Sequence, residues 1–347
     1  MARIPLNFQV EMKTITRFFL YILLPLAIAA GLATWAAYRW VHQPMTLPSE
    51  TVDILVPQGT TPAGVAQIIN QSGIKIEPTA FVILARLSEL DKKLKAGGYR
   101  VARGDSIWDL IRRMAAGEVT QRQVTLVEGW TLRQIRQTLR QHPDVKQTAA
   151  ELTDTQLMEK LGIQSKYAEG LFFPDTYVFS IGTSDVEILQ KSYAAQQKLL
   201  DTLWQARQPG LPLKNPYEAL ILASIVEKET GLSADRGKVA GVFVNRLRAG
   251  MPLQTDPTVI YGMGDAYQGK IRKKDLQTDT PWNTYTRNGL PPSPIASAGK
   301  ASLEAALNPE KHNFLYFVAR GDGSSAFATN LADHNKNVAQ YILGRKP

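Results

Sequence analysis

An apolar run near the N-terminus, FFLYILLPLAIAAGLATWAAY at residues 18–38, contains no charged side chain. A helix rises ~1.5 Å per residue, so a helix of this length reaches roughly the ~30 Å of a bilayer's hydrocarbon core. Arg3, Lys13 and Arg17 precede the run, as expected for a segment whose positive flank stays in the cytoplasm. We therefore predict a transmembrane anchor at 18–38, with residues 1–17 in the cytoplasm.

A cleaved signal peptide is the alternative interpretation of this run. The apolar core of a signal peptide is only ~7–15 residues long, which is shorter than the run and favours a retained anchor. Residues 39–50, which include QPMTLPSE, indicate a proline-containing linker. We accordingly expect a single-pass protein of the cell inner (cytoplasmic) membrane, with everything after the linker periplasmic or otherwise extracytoplasmic.

The rest of the chain is long enough for more than one folded domain. It has 347 residues in all, of which 44% are hydrophobic and 20% are charged, a composition typical of folded proteins. The absence of cysteine excludes disulfides, thiol catalysis and cysteine metal sites. With four histidines and no H-E-x-x-H spacing, we expect no zinc site, and with no G-K-[ST] loop no nucleotide cofactor.

The net charge of +9 suits an acidic polymer, an anionic membrane surface or nucleic acid. No motif combines basic and aromatic residues in the way that nucleic-acid-binding modules do. Nucleic acid is therefore not an expected partner.

Three stretches share one pattern: an apolar residue, a glycine three positions on, a Ser or Thr two positions later, and an apolar residue four further along. They are VPQGTTPAGVAQII, VARGDSIWDLIRRM and LVEGWTLRQIRQTL. The pattern predicts strand, glycine turn, helix cap and amphipathic helix, because Thr61, Ser106 and Thr131 can accept the free N–H groups of a helix start. An α+β fold class follows.

Residues 51–120 contain the first two of these stretches, a predicted helix from Pro78 to Leu90 and the segment GGYRV at Gly97–Val101. This arrangement resembles the LysM-like glycan-binding module. The alternative is a small α/β spacer without a ligand.

Residues 121–216 are predicted to form a connecting α+β region. Residues 144–169 look helical, EGLFFPDTYVFSIGTSD from Glu169 is expected to bracket a short strand, and a helix is expected from Val186 to Trp204. The aromatic side chains of the middle segment form either a sugar-stacking platform or part of the core; they are Phe172, Phe173, Tyr177 and Phe179.

Residues 217–347 begin with a strongly helical segment, YEALILASIVEKET, with Gly231 placed as its C′ residue. Ser233 is predicted to cap a second helix. Turns and short strands are expected in LQTDPTVIYGMG and in PWNTYTRNGLPPSPI. The remaining predicted elements are a helix at 300–306, a strand at 313–319, a glycine-rich hairpin at 320–325 and a helix at 330–344.

Two glutamates lie in the last turn of the first of these helices. Each helical residue advances ~100°, so Glu227 and Glu229 are ~200° apart and cannot flank one bond as a carboxylate pair. Glu229 continues a bulky apolar stripe and lies at the negative end of the helix dipole, so its pKa should rise, as a general acid requires. The alternative is a structural ion pair between Glu229 and Lys228, Arg236 or Arg246.

The segments ALILASIVEKETG, KVAGVFVNRLRAGMPLQTDPTVIYGMG and NTYTRNGLPPSPIASAG resemble the MltG (YceG-like) family of membrane-anchored endolytic murein transglycosylases. The resemblance implies a LysM-like module followed by a catalytic domain at 217–347 whose lysozyme-like buried helix carries Glu229 as the catalytic acid. One departure is visible, because Ser325 stands where family members often carry a histidine. The residues that the resemblance implies along the glycan cleft are Gln254, Thr255, Asp256, Thr258, Tyr261, Asn283 and Tyr285.

The same resemblance implies the reaction. Glu229 would protonate the glycosidic oxygen of a MurNAc-β-1,4-GlcNAc bond and then accept the proton of the muramoyl C6 hydroxyl, leaving a 1,6-anhydro end. The implied partners are peptidoglycan glycan strands, the cytoplasmic membrane and peptidoglycan synthases. Two alternatives are a muramidase-type hydrolase, with Asp256 as the only evident second carboxylate, and a non-catalytic glycan-binding scaffold.

Overall fold

The computed structural model describes residues 19–344. The chain forms two compact units. The first contains residues up to Gln121 together with Ser180–Gly182, and the second contains Arg122–Phe179 and the chain from Thr183 onward. The predicted cytoplasmic segment 1–17 lies outside the described residues, as does Phe18, the first residue of the apolar run.

The apolar run forms a helix. A π-helical turn at Phe19–Leu23 continues directly into α1, Leu24–Val41. The helix over Phe19–Val41 has 23 residues, a mean hydropathy of 1.9 and no buried stretch. It is the one helix within residues 19–344 that is long and apolar enough to span a membrane.

A two-stranded sheet and three helices enclose the core of the first unit. β1 and β2 are antiparallel, with Thr51 opposite Ala102 and Val56 opposite Gly97. The core takes side chains from all five elements, among them the fully buried Ile54. The elements are β1 (Thr51–Val56), α2 (Pro62–Gln71), α3 (Pro78–Leu87), β2 (Gly97–Ala102) and α4 (Ile107–Ala116).

The three predicted helix caps are confirmed. The hydroxyl of Thr61 accepts a hydrogen bond from Gly64 N, and those of Ser106 and Thr131 accept from the backbone N–H three residues on. Ser106 and Thr131 also complete capping boxes, in which the side chain at the third helical position bonds back to the cap N–H. Each strand–turn–helix unit therefore forms for the local reason that its sequence suggests.

The second unit begins with the pair of strands β3 and β4 and three helices. The predicted aromatic segment does bracket a strand, and Phe172 and Phe179 are buried in the core, which favours the core interpretation for these two. The elements are β3 (Gln121–Thr125), α5 (Leu132–Gln141), α6 (Asp154–Leu161), β4 (Thr176–Ser180) and α7 (Asp185–Gln205).

The prediction of a helix throughout 144–169 is wrong, because only α6 is helical there. The buried carboxylate of Asp185 accepts hydrogen bonds from Thr148 N and Ala149 N, both at 2.9 Å. These bonds hold the preceding backbone in a non-helical conformation. Gly162, in the left-handed conformation at φ 70°, then ends α6.

The described remainder of the second unit contains six helices, a 3-10 turn and a hairpin. β5 and β6 pair antiparallel, with Tyr316 opposite Ala328. The three sheets of the described chain are thus separate two-stranded pairs in a mixed α+β fold, as predicted. The elements are α8 (Pro216–Glu229), α9 (Ser233–Arg248), α10 (Asp256–Met263), the turn Gly264–Ala266, α11 (Lys273–Gln277), α12 (Lys300–Leu307), β5 (Tyr316–Ala319), β6 (Ser325–Ala328) and α13 (Leu331–Tyr341).

Two details of this region differ from the sequence-based expectation. Ser233 is the first residue of α9 and not its cap; the cap position is Leu232, whose N–H donates to the Thr230 hydroxyl at 3.1 Å. The segment after Gly250 forms the helix α10 where turns and short strands were predicted. Pro257 lies in the first turn of α10, where its missing N–H removes no helical hydrogen bond.

Helix α8 occupies the centre of the second unit. Every residue from Ala219 to Val226 is buried, so the helix is enclosed on all sides. Its neighbours α9 and α12 supply apolar side chains such as Phe243 and Leu303 to the same core. The polar end of α8, which carries both glutamates, is thereby fixed against the surrounding loops.

Candidate active site

Glu229 is the last residue of α8 and is half-buried. Thr230 follows in an extended conformation and ends the helix. The apolar run that buries α8 thus delivers a carboxyl group to the edge of the core, as the helical periodicity predicted.

The carboxyl of Glu229 has one protein hydrogen-bond donor within residues 19–344: the Thr255 hydroxyl, which donates to Oε1. Burial raises the pKa of Glu229 to about 7, and the nearby charge of Asp256 acts in the same direction. The Thr255 hydrogen bond and the positive charge of Arg246 act in the opposite direction. A carboxyl in this setting keeps its proton up to about neutral pH and can then release it.

The alternative interpretation of Glu229 was a structural ion pair with Lys228, Arg236 or Arg246. Within residues 19–344, Glu229 forms no ion pair with any of the three cations considered. Lys228 Nζ donates to Gly129 O at 3.2 Å, and the guanidinium of Arg246 donates to backbone carbonyls. The acid is therefore near a cation without being bound to one.

Glu227 faces a different part of the unit from Glu229. Its Oε2 accepts a hydrogen bond from Gly299 N at 2.9 Å. Glu128 lies beside it, and burial followed by the charge of Glu227 raises the pKa of Glu128. The two glutamates of α8 consequently have separate environments, in agreement with their ~200° separation around the helix.

Three of the predicted cleft residues lie beside Glu229. Thr255 contacts its carboxyl, and Asp256 starts α10 next to it with an exposed side chain. The hydroxyl of Tyr285 donates to Asp256 Oδ1 at 2.6 Å, and burial raises the pKa of Tyr285. These side chains form a polar rim around the acid.

Thr258 and Asn283 lie behind that rim and are fully buried. The hydroxyl of Thr258 donates to Thr255 O at 2.7 Å and lies 2.9 Å from the Thr284 hydroxyl. The amide of Asn283 donates to Leu276 O and Thr278 O and accepts from the backbone N–H of Tyr285. Both residues hold the loops that present Thr255 and Tyr285.

The two remaining predicted residues lie at either end of this group. Gln254 is exposed, and its Oε1 accepts a hydrogen bond from Arg246 at 3.3 Å. Tyr261 lies farther along α10, with its ring 5.4 Å from that of Trp282. Burial raises the pKa of Tyr261, whose hydroxyl is beside the carboxyl of Glu169.

Glu169 is a further acid with a raised pKa, and the sequence analysis did not identify it as a site residue. It is 7% exposed, and its Oε1 accepts hydrogen bonds from Leu132 N at 2.9 Å and Gly170 N at 3.2 Å. Burial raises its pKa to about 7. It lines a cavity of about 1110 Å³ together with Tyr261 and Trp282. The only sequence signal was an acid placed immediately before an apolar aromatic segment.

Arg246 was also missed as a site residue, although its position carried a signal. It continues the apolar face of α9 formed by Val239 and Val242, where a charged side chain is unexpected. Within residues 19–344, no three His, Asp or Glu side chains come together as metal ligands.

The sequence matches the YceG-like family over residues 54–340. A protein of Bacillus subtilis (strain 168) named "Endolytic murein transglycosylase" is 32% identical over 312 residues, which is 85% of this chain and 86% of the relative. A protein of the same name from Streptococcus pneumoniae (strain D39) is 30% identical over 84% of this chain, which spans 58% of that relative's length.

A crystal structure of a yceG-like protein from Listeria monocytogenes is similar to this chain, with a TM-score of 0.52 and 30% sequence identity. The similarity covers 83% of this chain and 99% of the Listeria chain. The sequence match and the structural match thus extend over most of the molecule, and the chain belongs to the YceG-like family.

Proposed function

We propose that the protein is a membrane-anchored endolytic lytic transglycosylase that cleaves MurNAc-β-1,4-GlcNAc bonds within nascent peptidoglycan strands. The observation that carries this proposal is the Glu229 carboxyl. It is half-buried, has a pKa of about 7 and is hydrogen-bonded by one hydroxyl, in a chain whose relatives are named endolytic murein transglycosylases.

Glu229 acts first as an acid and then as a base. In the first step the carboxyl proton passes to the glycosidic oxygen as the bond from that oxygen to C1 of MurNAc breaks. The substrate's 2-acetamido group stabilises the positive anomeric carbon. In the second step the Glu229 carboxylate takes the proton of the muramoyl C6 hydroxyl while O6 bonds to C1. The products are a 1,6-anhydroMurNAc end and a free GlcNAc hydroxyl, and the enzyme is restored.

Some of the surrounding residues contact the acid or the glycan strand, and others hold the loops that carry those residues. Thr255 orients the acid through its hydroxyl, and the exposed Asp256 with Tyr285 binds sugar hydroxyls at the rim. Gln254 extends this rim, while Thr258 and Asn283 keep the two loops in place. Tyr261 contacts the strand farther from the scissile bond.

We further propose a role for each segment of the chain. Residues 18–38 anchor the chain with 1–17 in the cytoplasm, and 39–50 form a linker. Residues 51–120 form a LysM-like module that holds glycan, 121–216 connect, and 217–347 form the catalytic part, with α8 as a lysozyme-like helix. Anchoring keeps the acid near the membrane, where peptidoglycan synthases release new strands and are possible partners.

Incubation of the full-length protein in detergent with purified peptidoglycan tests the proposal. Mass spectrometry should detect anhydromuramoyl ends with the wild type and none with Glu229→Gln, which keeps the shape and removes the proton. Glu227→Gln is the matched control: it leaves an acceptor for Gly299 N and should remain active.

The other outcomes identify the alternatives. Reducing ends in place of anhydro ends would indicate a hydrolase in which Asp256 activates water. Binding of peptidoglycan by the wild type without any cleavage would indicate a scaffold. Full activity of Glu229→Gln would remove Glu229 from the mechanism.

A further inference from the structure

Arg246 is a buried cation that forms no ion pair with an acid within residues 19–344. It is 8% exposed, and its guanidinium donates to backbone carbonyls: Nε to Leu315 O at 2.7 Å, and Nη1 to Pro252 O at 3.1 Å and Leu253 O at 3.0 Å. Its Cζ lies 5.0 Å from the centre of the Tyr316 ring. Burial lowers the pKa of Arg246. A buried charge is costly when it is bound by carbonyl oxygens and a ring and is not paired with an acid, so a role beyond packing is expected.

Two of the three carbonyls that Arg246 binds, those of Pro252 and Leu253, belong to the loop between α9 and α10, and that loop is strained. Gln254 has φ 49°, a left-handed conformation that is unfavourable for a residue with a Cβ. Arg246 binds the two carbonyls immediately before Gln254 and also its side-chain Oε1. From the other side, Gln254 N donates to Thr284 O at 3.1 Å. The reversed backbone at Gln254 is thus held by these contacts.

The residue after this reversal is Thr255, the hydrogen-bond donor to Glu229. Its backbone N–H donates to the Thr284 hydroxyl at 3.1 Å, and its own hydroxyl reaches Glu229 Oε1. The direction in which Thr255 points follows from the backbone at Gln254. Arg246 therefore controls, through three consecutive residues, the group that orients the acid.

Arg246 also acts on Glu229 through space. The charged and titratable groups that face Glu229 come from α9 (Arg246), the start of α10 (Asp256) and the loop after α11 (Tyr285). Arg246 is the cation of this group, and its charge lowers the pKa of Glu229, whereas Asp256 raises it.

We propose that Arg246 is a positioning residue of the active site: its guanidinium holds residues 252–254 in the reversed conformation that brings the Thr255 hydroxyl onto the Glu229 carboxyl, and its charge faces that carboxyl. The inference rests on the proposed role of Glu229. It predicts that Arg246 contributes to the rate of cleavage and hardly to the binding of the strand.

Two substitutions separate the geometry from the charge. Arg246→Lys keeps the charge but lacks the fork that binds several carbonyls at once, and Arg246→Gln removes the charge. Arg248→Gln is the control on the same helix, since Arg248 is exposed and donates to Gly210 O. Each full-length variant is assayed for formation of anhydro ends as a function of substrate concentration and pH, and its folding is checked by circular dichroism.

We expect kcat to fall several-fold in Arg246→Lys with KM nearly unchanged. The pH at which activity is lost should move to higher values, as in Thr255→Val, because a misplaced Thr255 hydroxyl no longer favours ionised Glu229. In Arg246→Gln this pH should move farther still, because the cation that also favours ionised Glu229 is lost. Arg248→Gln should match the wild type in every parameter.

The double variant Arg246→Lys with Thr255→Val tests whether Arg246 acts through Thr255. If it does, the lysine substitution should lower kcat far less when Thr255 is already valine. Fully additive losses would overturn the inference, as would wild-type kcat in both folded Arg246 variants. Failure of the proposed function would look different, because Glu229→Gln would then still form anhydro ends. If Arg246→Gln does not fold, the lysine variant and the double variant still decide the question.

Discussion

Glu229 and Glu169 show how two acids with similar pKa values can have different roles. Burial raises the pKa of each to about 7. The Glu169 carboxyl is bound by two backbone N–H groups, one of them at the start of α5, and so acts as part of the fold. The Glu229 carboxyl is bound by a single hydroxyl and is half-buried, so it remains available to a substrate. Hydrogen-bond partners, more than pKa, distinguish the candidate catalytic acid.

The hydrogen bond from Thr255 lowers the pKa of Glu229, so its removal has a predictable effect on pH dependence. A general acid must be protonated at the start of the reaction, so activity falls as pH rises through its pKa. Thr255→Val keeps the shape and removes the donor. We expect this fall to move to higher pH and the maximal rate to drop several-fold, as measured by anhydro-end formation between pH 5 and 9.

Thr202→Val is a suitable control for this experiment. Thr202 lies on α7, is exposed and donates only to Lys198 O at 2.8 Å. Its replacement should leave both the rate and the pH dependence unchanged. An unaltered pH dependence in Thr255→Val itself would mean that its hydroxyl does not act on Glu229.

Glu169 makes a separate prediction about stability. Its pKa is raised in the folded state, so the folded protein holds its proton more tightly than the unfolded chain does. The stabilising contribution is complete below the unfolded value of about 4.5 and is lost as pH rises to about 7. The free energy of unfolding should therefore decrease over this range, with a slope of up to about 1.4 kcal/mol per pH unit for each such group.

Glu169→Gln should remove part of this slope, leaving the part due to Glu229. The measurement is urea denaturation, followed by tryptophan fluorescence, at pH 5, 6, 7 and 8. Glu159→Gln, at an exposed carboxyl of α6, should retain the wild-type slope. If the free energy of unfolding of Glu169→Gln depends on pH as steeply as that of the wild type, Glu169 does not have a raised pKa in the folded protein.

The helices and strands that formed as predicted depend on local signals. Thr61, Ser106 and Thr131 cap the helices that follow them because the bond spans three residues and needs nothing distant. The segment before α6 depends on Asp185, a side chain far along the chain, and the loop before α10 depends on the buried guanidinium of Arg246. Periodicity placed Glu229 at the end of a buried helix. It could not place Glu169 or Arg246, because their roles come from contacts that only the tertiary fold creates.

Helix α9 packs closely against the segment that follows α12. Because of this packing, we expect a glycine-to-alanine substitution in α9 to destabilise the protein, although alanine has the higher helix propensity. Alanine is favoured over glycine in a helix by about 1 kcal/mol. A Cβ at Gly241 would lie 2.5 Å from His312 Nε2 and 2.6 Å from the backbone O of Glu310. We expect Gly241→Ala to lower the free energy of unfolding by ~1–3 kcal/mol, because the backbone of Glu310 must move.

Gly237, one turn earlier on the same face, provides the matched control. A Cβ there would lie 3.6 Å from Glu310 Cβ, an ordinary contact. Gly237→Ala should therefore be neutral or stabilising by up to about 1 kcal/mol. Urea denaturation of both variants measures the difference. Equal stabilities would mean that α9 does not approach residue 310 as closely as the structure describes.

The whole molecule combines an apolar N-terminal helix with two compact units and a net charge of +9. No residue of the helix is buried, and most of its apolar side chains are exposed. Such a surface is consistent with the proposed membrane anchor. The basic composition adds an attraction to anionic lipids and to acidic wall polymers that does not depend on a specific site.

The proposed orientation can be tested directly because the chain has no cysteine. Single variants Ala2→Cys and Gln164→Cys place one thiol on each side of the predicted anchor, and Gln164 is exposed in the second unit. In intact spheroplasts, a membrane-impermeant maleimide should label Gln164→Cys and leave Ala2→Cys unlabelled until detergent is added, because basic residues hold the N-terminus in the cytoplasm. The unmodified chain is the control, and it should not be labelled because it has no thiol. Labelling of Ala2→Cys in intact spheroplasts, with Gln164→Cys protected, would reverse the proposed topology and remove the acid from the peptidoglycan.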